Sequence, residues 1–161
     1  MNPFKNDKQR FEIAYEQYAD MLYRLSFSYL KSKEDAEDVV QEVFTKYFCG
    51  FHVPMNSEQE KAWFIRVTMN QCHDAIRKKG YRKYSTLEEV TQLPEDVKPD
   101  TTPLYEALDK LPEKNKGVII LHYLEGYSVD EVARILQLSA SAVKMRLKRG
   151  REFLKVELEK E

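Results

Sequence analysis

The sequence predicts an all-α protein built as two small helical domains, and three observations carry that expectation. Apolar residues recur at three- and four-residue spacing along most of the 161 positions, and strand signals are scarce. Helix-starting pairs recur as well: Ser32 with Asp35, Ser57 with Glu60, and Ser128 with Glu131. Between them, residues 84–103 change character, because Pro94, Pro99 and Pro103 break the helical pattern and the acids around them repel one another. A linker of that length is too long for a routine loop inside one compact domain.

Taken in order, the first helix covers about residues 8–31, with Phe11, Tyr15, Tyr18, Leu22, Leu25 and Tyr29 on its buried side. Ser32 caps a second helix that runs to about Phe48 and packs through Ala36, Val39, Val40, Val43, Phe44 and Tyr47. Gly50 and Pro54 mark a loop. The Ser57–Glu60 capping box then starts a third long helix, to about Lys79, with Ala62, Ile65, Met69 and Ile76 in its apolar set. Beyond the linker come Leu104–Leu111, Pro112 at a helix start, a helix to about Leu124, and Gly126 as its C-terminal stop. Each half is small, so each core is modest.

Composition leaves the partner open until the charges are mapped. Apolar residues make up 42% and charged residues 33%, which suits helices with much solvated surface, and the net charge is only −1. The cations are nevertheless segregated. Residues 66–83 hold Arg66, Arg77, Lys78, Lys79, Arg82 and Lys83 against Asp74, and residues 136–155 hold six cations against Glu152. Residues 84–106 hold Glu88, Glu89, Glu95, Asp96, Asp100 and Glu106 against Lys98. Two basic blocks joined by an acidic one point to a polyanion more strongly than the total does. Cys49 and Cys72 are the only cysteines, which argues against a disulfide scaffold and fits a reducing cytosol. The N-terminal residues have no apolar signal core, and the run Val118–Leu121 is far too short to span a bilayer. A cytoplasmic protein without membrane insertion is expected.

The densest information lies in residues 128–155. Val132, Ile135 and Leu136 form the stripe of a short helix, Leu138 and Ser139 turn the chain, and Ser139 caps a second helix. On that helix Val143, Leu147 and Leu154 face inward while Lys144, Lys148, Arg151 and Lys155 line the outside. A helix-turn-helix with a basic second helix is the shape that enters a DNA major groove. A solvated cationic face explains the cations alone, but not their placement after this turn.

Three stretches resemble a known family in order and spacing. Asp35-Ala-Glu-Asp38-Val-Val-Gln41-Glu42-Val-Phe44 resembles the polymerase-binding helix of bacterial sigma factors. Ala62-Trp63-Phe64 through Asn70, Asp74, Arg77 and Lys78 resembles their promoter-melting and promoter-reading helix. Leu111-Pro112-Glu113-Lys114, then Leu124-Glu-Gly126-Tyr-Ser128 and the helix-turn-helix, resembles sigma region 4. With the linker, the pattern is that of the extracytoplasmic-function sigma factors. The resemblance implies a non-enzymatic protein that binds core RNA polymerase and promoter DNA, with an anti-sigma protein as a possible further partner. It implies a region 2-like domain at 1–83 for polymerase and the downstream promoter element, a linker at 84–103, and a region 4-like domain at 104–161 for the upstream element. The linker would thread toward the polymerase active-site and RNA-exit channels.

The same resemblance, joined to residue chemistry, picks out candidate residues. For the upstream element, Ser141, Ala142, Lys144 and Met145 are expected near base edges, and Arg146, Lys148, Arg149 and Arg151 near phosphates. For melted downstream DNA, Phe51, His52 and Asn56 in the loop are candidates for capturing a base. Asn70, His73, Arg77, Lys78 and Lys79 on the third helix track the strand. Trp63 and Phe64 divide between core and base stacking, and Asp74 pairs with Arg77 or Lys78 on its own helix. Asp35, Asp38, Gln41 and Glu42 form the polymerase surface. No cofactor, metal or catalytic set is expected: Cys49 and His52 lack a second ligand pair. A helical enzyme using Asp35, Asp38 and Glu42 would need partners the sequence does not offer. A stand-alone helix-turn-helix repressor or response-regulator-like protein would leave the first half without a role. Two positions depart from the family. Gln137 stands where a turn glycine is common, and Gly150 where alanine is, so a slightly loose last helix is expected.

Overall fold

The computed structural model describes residues 3–50, 56–79 and 102–160, and the chain divides into two compact units, Met1–Lys78 and Lys79–Glu161. Among the described residues there are seven α-helices and no strand: α1 Pro3–Leu30, α2 Lys33–Cys49, α3 Ser57–Lys79, α4 Thr102–Lys110, α5 Glu113–Ile119, α6 Val129–Leu136 and α7 Ala140–Glu159. The expected loop at residues 51–55 and the linker, as far as residue 101, lie outside the described residues. Thr102 and Pro103, expected as linker, open α4, where a proline in the first turn has no intrahelical bond to lose.

In the first unit α1 and α2 pack through complementary stripes. Ala14, Tyr18, Leu22, Leu25 and Tyr29 are buried, as are all six residues expected on α2. The chain leaves α1 through Lys31 in the left-handed region at φ 53, its N–H bonded to the Phe27 carbonyl at 2.8 Å. Ser32 Oγ then accepts from the Asp35 N–H to start α2. Phe11 and Tyr15 are less enclosed than their spacing predicts. They stack on each other and on Phe44, and Phe11 also meets Phe48, which leaves Tyr15 49% exposed. Phe64 of α3 is fully buried, with ring centroids 4.8 Å from Tyr18, 5.2 Å from Phe44 and 4.8 Å from Tyr47. That assigns Phe64 to the core.

The start of α3 differs from expectation by one residue. Asn56 Oδ1 accepts from the Gln59 N–H at 2.8 Å, and Gln59 Oε1 accepts from the Asn56 N–H at 3.0 Å. Asn and Gln do here what Ser57 and Glu60 were expected to do, because the reciprocal bond needs only an acceptor at each end. Glu60 is thereby released to accept from the Tyr47 hydroxyl at 3.3 Å. Burial, and then the Glu60 carboxylate, raise the Tyr47 pKa against a smaller opposing pull from Arg10, so the phenol remains a donor.

In the second unit α4 and α5 pack on α7. Ala107, Leu108, Leu111, Val118, Ile119, Ile120 and Leu121 are buried with Val132, Val143 and Leu147. The Pro112 carbonyl accepts from the N–H groups of Asn115 and Lys116 at 3.0 Å, setting the first turn of α5. Lys116 is buried and pairs with Asp109 at 3.5 Å across the α4–α5 corner. α5 does not run on as a regular helix to Leu124. Ile120–Leu124 form a π-helical turn, closed by Glu125 N–H to Ile120 O at 3.0 Å, and Gly126 comes next at φ +79.

Gly150 corrects the expectation of a loose last helix. It is buried, and a Cβ there would stand 2.8 Å from Ile119 Cγ1 and 2.9 Å from Cδ1. The glycine is a point of close approach, and its helix-propensity cost is offset by the packing it permits. Gly150→Ala should therefore destabilise the second unit by about 1–2 kcal/mol, overpacking outweighing the gain in propensity. Thermal melts should show that penalty shrinking in an Ile119→Val background.

Candidate nucleic-acid interface

The helix-turn-helix is built from local bonds that the sequence dictates. Ser128 Oγ accepts from the Glu131 N–H at 3.1 Å and Glu131 Oε1 accepts from the Ser128 N–H at 3.2 Å, a complete capping box on α6. Gln137 takes the left-handed conformation, φ 58 and ψ 45, and the Leu138 N–H closes on Ala133 O at 2.9 Å. Ser139 Oγ then accepts from the Ala142 N–H at 3.1 Å and starts α7.

α7 has two faces. Val143, Leu147 and Gly150 are buried, while Leu154 is half-buried. Lys144, Lys148, Arg151 and Lys155 are exposed at i, i+4, i+7 and i+11 and form one stripe. Ser141 and Arg149 are exposed beside it, and Met145 projects from the same outer surface, 51% exposed. Ala142 and Arg146 turn toward the flank and are half-buried, and the Arg146 carbonyl accepts from Asn115 Nδ2 at 3.0 Å. That bond ties the middle of α7 to α5. Arg151 Nη1 donates to the Tyr123 hydroxyl of the π-helical turn at 3.1 Å. Tyr123 was not among the expected residues, since no sequence signal marks the turn that presents it.

In the first unit the expected residues separate. Asn70, Arg77 and Lys78 are exposed on α3, and Asp74 pairs with Arg77 at 3.8 Å, one of the two partners foreseen for it. His73 is half-buried and meets the Tyr29 ring edge-on at 5.3 Å, so its ring faces the neighbouring helix. Asn56 is exposed, but its side-chain oxygen is engaged in capping α3. Trp63 is half-buried against Tyr47 and Phe64. Phe51, His52 and the Lys79 side chain lie outside the described residues. On α2, Asp38, Gln41 and Glu42 are exposed and Asp35 is half-buried, all opposite the buried stripe. Lys46 Nζ donates to Gln71 Oε1 at 2.7 Å and fastens this helix to α3. Among the described residues no group of three or more His, Cys, Asp or Glu is gathered to hold a metal, and no helix is long and apolar enough to cross a membrane.

The chain thus has a helix-turn-helix with a cationic outer face in one unit and a helix with an acidic face in the other. Similarity to known proteins identifies the class. The family model for sigma-70 region 2 matches residues 14–82, and that for sigma-70 region 4 matches residues 102–154. The chain is 36% identical over 142 residues to the RNA polymerase sigma factor SigV of Bacillus subtilis, covering 86% of this chain and 85% of that protein. It is 29% identical over 165 residues to the ECF RNA polymerase sigma factor SigX of the same organism, covering 94% and 85%. Among solved structures, CnrH in complex with the cytosolic domain of CnrY superposes with a TM-score of 0.71 at 25% identity, covering 96% of this chain and 90% of that one. The sigma factor RpoE bound to the anti-sigma factor NepR, from Bartonella quintana, has the same fold at a TM-score of 0.72 and 21% identity, covering 94% and 98%.

The chain belongs to the sigma-70 family, in its extracytoplasmic-function group. It is a sigma factor acting in transcription initiation with core RNA polymerase, and the family is one of non-enzymatic regulators. The repressor alternative is not favoured, because it leaves the match over residues 14–82 unexplained.

The turn itself generates a test. A left-handed residue other than glycine costs about 1–2 kcal/mol, and glycine's larger loss of chain entropy returns part of that. Gln137→Gly should thus stabilise the second unit by about 0.5–1 kcal/mol, read as a rise in its melting temperature.

Proposed function

We propose that the two units divide the promoter between them. Residues 104–161 hold the upstream element through α7, residues 1–83 hold core polymerase through α2 and the melted downstream element through α3, and residues 84–103 link them. The observation that carries this reading is the stripe Lys144, Lys148, Arg151 and Lys155, exposed on a helix whose opposite face is buried. Side chains near the start of α7 meet base edges: Ser141, Ala142, Lys144 and Met145. Lys144 suits the guanine acceptors, and Met145 offers an apolar contact. Arg146, Lys148, Arg149 and Arg151 hold phosphates and set the register. In the downstream site Asn70, Arg77, Lys78 and Lys79 track the strand, and Phe51 and His52 receive an unpaired base. His73 acts by supporting α3 through Tyr29. Asp35, Asp38, Gln41 and Glu42 dock on a complementary surface of the polymerase. The protein works in the cytoplasm without chemistry of its own, and an anti-sigma protein that covers these surfaces is its natural regulator.

Purified chain mixed with core polymerase and a genomic promoter library should yield start-site-specific transcripts absent with core alone. Tight, specific DNA binding without polymerase and no new transcript would favour the repressor. Within that assay, Lys144→Ala should relax discrimination at one upstream base pair by about 1–3 kcal/mol. Arg149→Ala should weaken all sequences alike and lower the salt slope by about 0.9. Equal effects of the two would overturn the division of roles. Gln41→Ala combined with Glu42→Ala should weaken polymerase binding severalfold while leaving the thermal melt unchanged, since both side chains are exposed.

A further inference from the structure

The hydrogen bond between Arg151 and Tyr123 joins two elements that the helix-turn-helix alone does not connect. Tyr123 sits in the π-helical turn Ile120–Leu124, 51% exposed, and its hydroxyl accepts from Arg151 Nη1 at 3.1 Å. The i→i+5 bond of the π turn encloses one more residue than an α-helical bond and so shifts the helical register there, and Tyr123 meets α7 through Arg151. His122 braces the ring from one side, with centroids 4.8 Å apart and planes at 74°, and its own Nδ1 is hydrogen-bonded to the Tyr127 carbonyl at 2.6 Å. The phenol is therefore held from two directions while half its surface stays open.

The donor inventory of this pair is the informative part. As acceptor from Arg151, the Tyr123 oxygen keeps its own hydrogen to donate. Arg151 keeps the rest of its guanidinium N–H groups. Among the described residues no other group takes up these donors. Two neighbouring donors, one cationic, facing outward within a cationic stripe call for one anion with several oxygens. Lys148 and Lys155 on the same stripe add attraction for a polyanion.

We propose that Tyr123 and Arg151 form a clasp for one backbone phosphate of promoter DNA, the Tyr123 hydroxyl donating to one phosphate oxygen and the Arg151 guanidinium to another. Tyr123 is thus a DNA-contacting residue outside the helix-turn-helix, placed there by the π-helical turn. The proposal rests on the reading that the α7 stripe lies along DNA, and it adds a neutral donor to a contact otherwise made by charge alone.

The test uses holoenzyme assembled from the full chain and core polymerase, titrated across a salt series on a promoter duplex recovered from the library transcription assay. Tyr123→Phe should weaken retention about threefold to tenfold, the loss of one hydrogen bond to a charged group, with the salt slope unchanged because no cation is removed. Arg151→Ala should weaken retention and lower the slope by about 0.9. In the Arg151→Ala background Tyr123→Phe should lose most of its effect, because the clasp works as a unit. If Arg151→Ala weakens retention but Tyr123→Phe binds like the unsubstituted protein, or if the two effects simply add, the clasp is overturned while the DNA reading stands. If Tyr123→Phe lowers the thermal melt and polymerase affinity but not DNA retention, the pair is a protein brace and the clasp is likewise overturned. If Arg151→Ala changes neither affinity nor slope, the underlying assignment of Arg151 to phosphate is what fails.

Discussion

The rotational setting of α7 on its own unit governs everything the second unit presents to a partner. A helix seated by Val143, Leu147 and Gly150 has only one way to display Lys144, Lys148, Arg151 and Lys155 together. The setting is not left to apolar burial, which is non-directional and tolerates some rolling of one helix on another. Gly150 lets Ile119 approach to a distance no larger residue permits, and Asn115 reaches over to the Arg146 carbonyl at 3.0 Å. The first contact fixes how near α7 lies to α5. The second fixes which carbonyl faces it. Together they convert a greasy contact into a keyed one, and the outward stripe inherits that precision.

The first unit solves a different problem with the same logic. Its acidic helix face and its α3 surface must hold fixed positions while having opposite character. The aromatic cluster around Phe64 joins all three helices through Tyr18, Phe44 and Tyr47, and ring pairs of this kind add about 0.5–1.5 kcal/mol each beyond area burial. At the periphery, Lys46 to Gln71 and Tyr47 to Glu60 stitch α2 to α3 with polar bonds. The acidic residues at the front of α2 sit where the positive end of its macrodipole favours them, so they cost the unit little.

The features legible in the sequence are those decided within one or two turns of chain. The Ser128–Glu131 box, the Ser139 cap and the six buried residues of α2 all follow from side-chain chemistry and period. The misreadings share a physical origin. At the start of α3 two overlapping acceptor pairs are chemically equivalent, and only the folded chain reveals that Asn56 and Gln59 are used. Tyr15 fits the buried period, yet its exposure depends on what lies over it. Gly150 reads as weakness until Ile119 is seen beside it. In the candidate site the outer stripe Lys144, Lys148, Arg151 and Lys155 follows from helical spacing. The inward tilt of His73 and the arrival of Tyr123 at Arg151 depend on neighbours far along the chain, which no local pattern encodes.

Charge segregation explains how a chain of net charge −1 can serve DNA at all. At physiological ionic strength the Debye length is about 8 Å, so an anion meeting an exposed face responds mainly to the charges within that distance of it. A surface that makes only a few phosphate contacts loses much of its hold as salt rises. Two binding surfaces carried on one assembly make the second contact an intramolecular event, at an effective concentration set by their connection. On the division of the promoter proposed above, weak and salt-sensitive halves would be an advantage, since a firm grip would need both elements and the polymerase together.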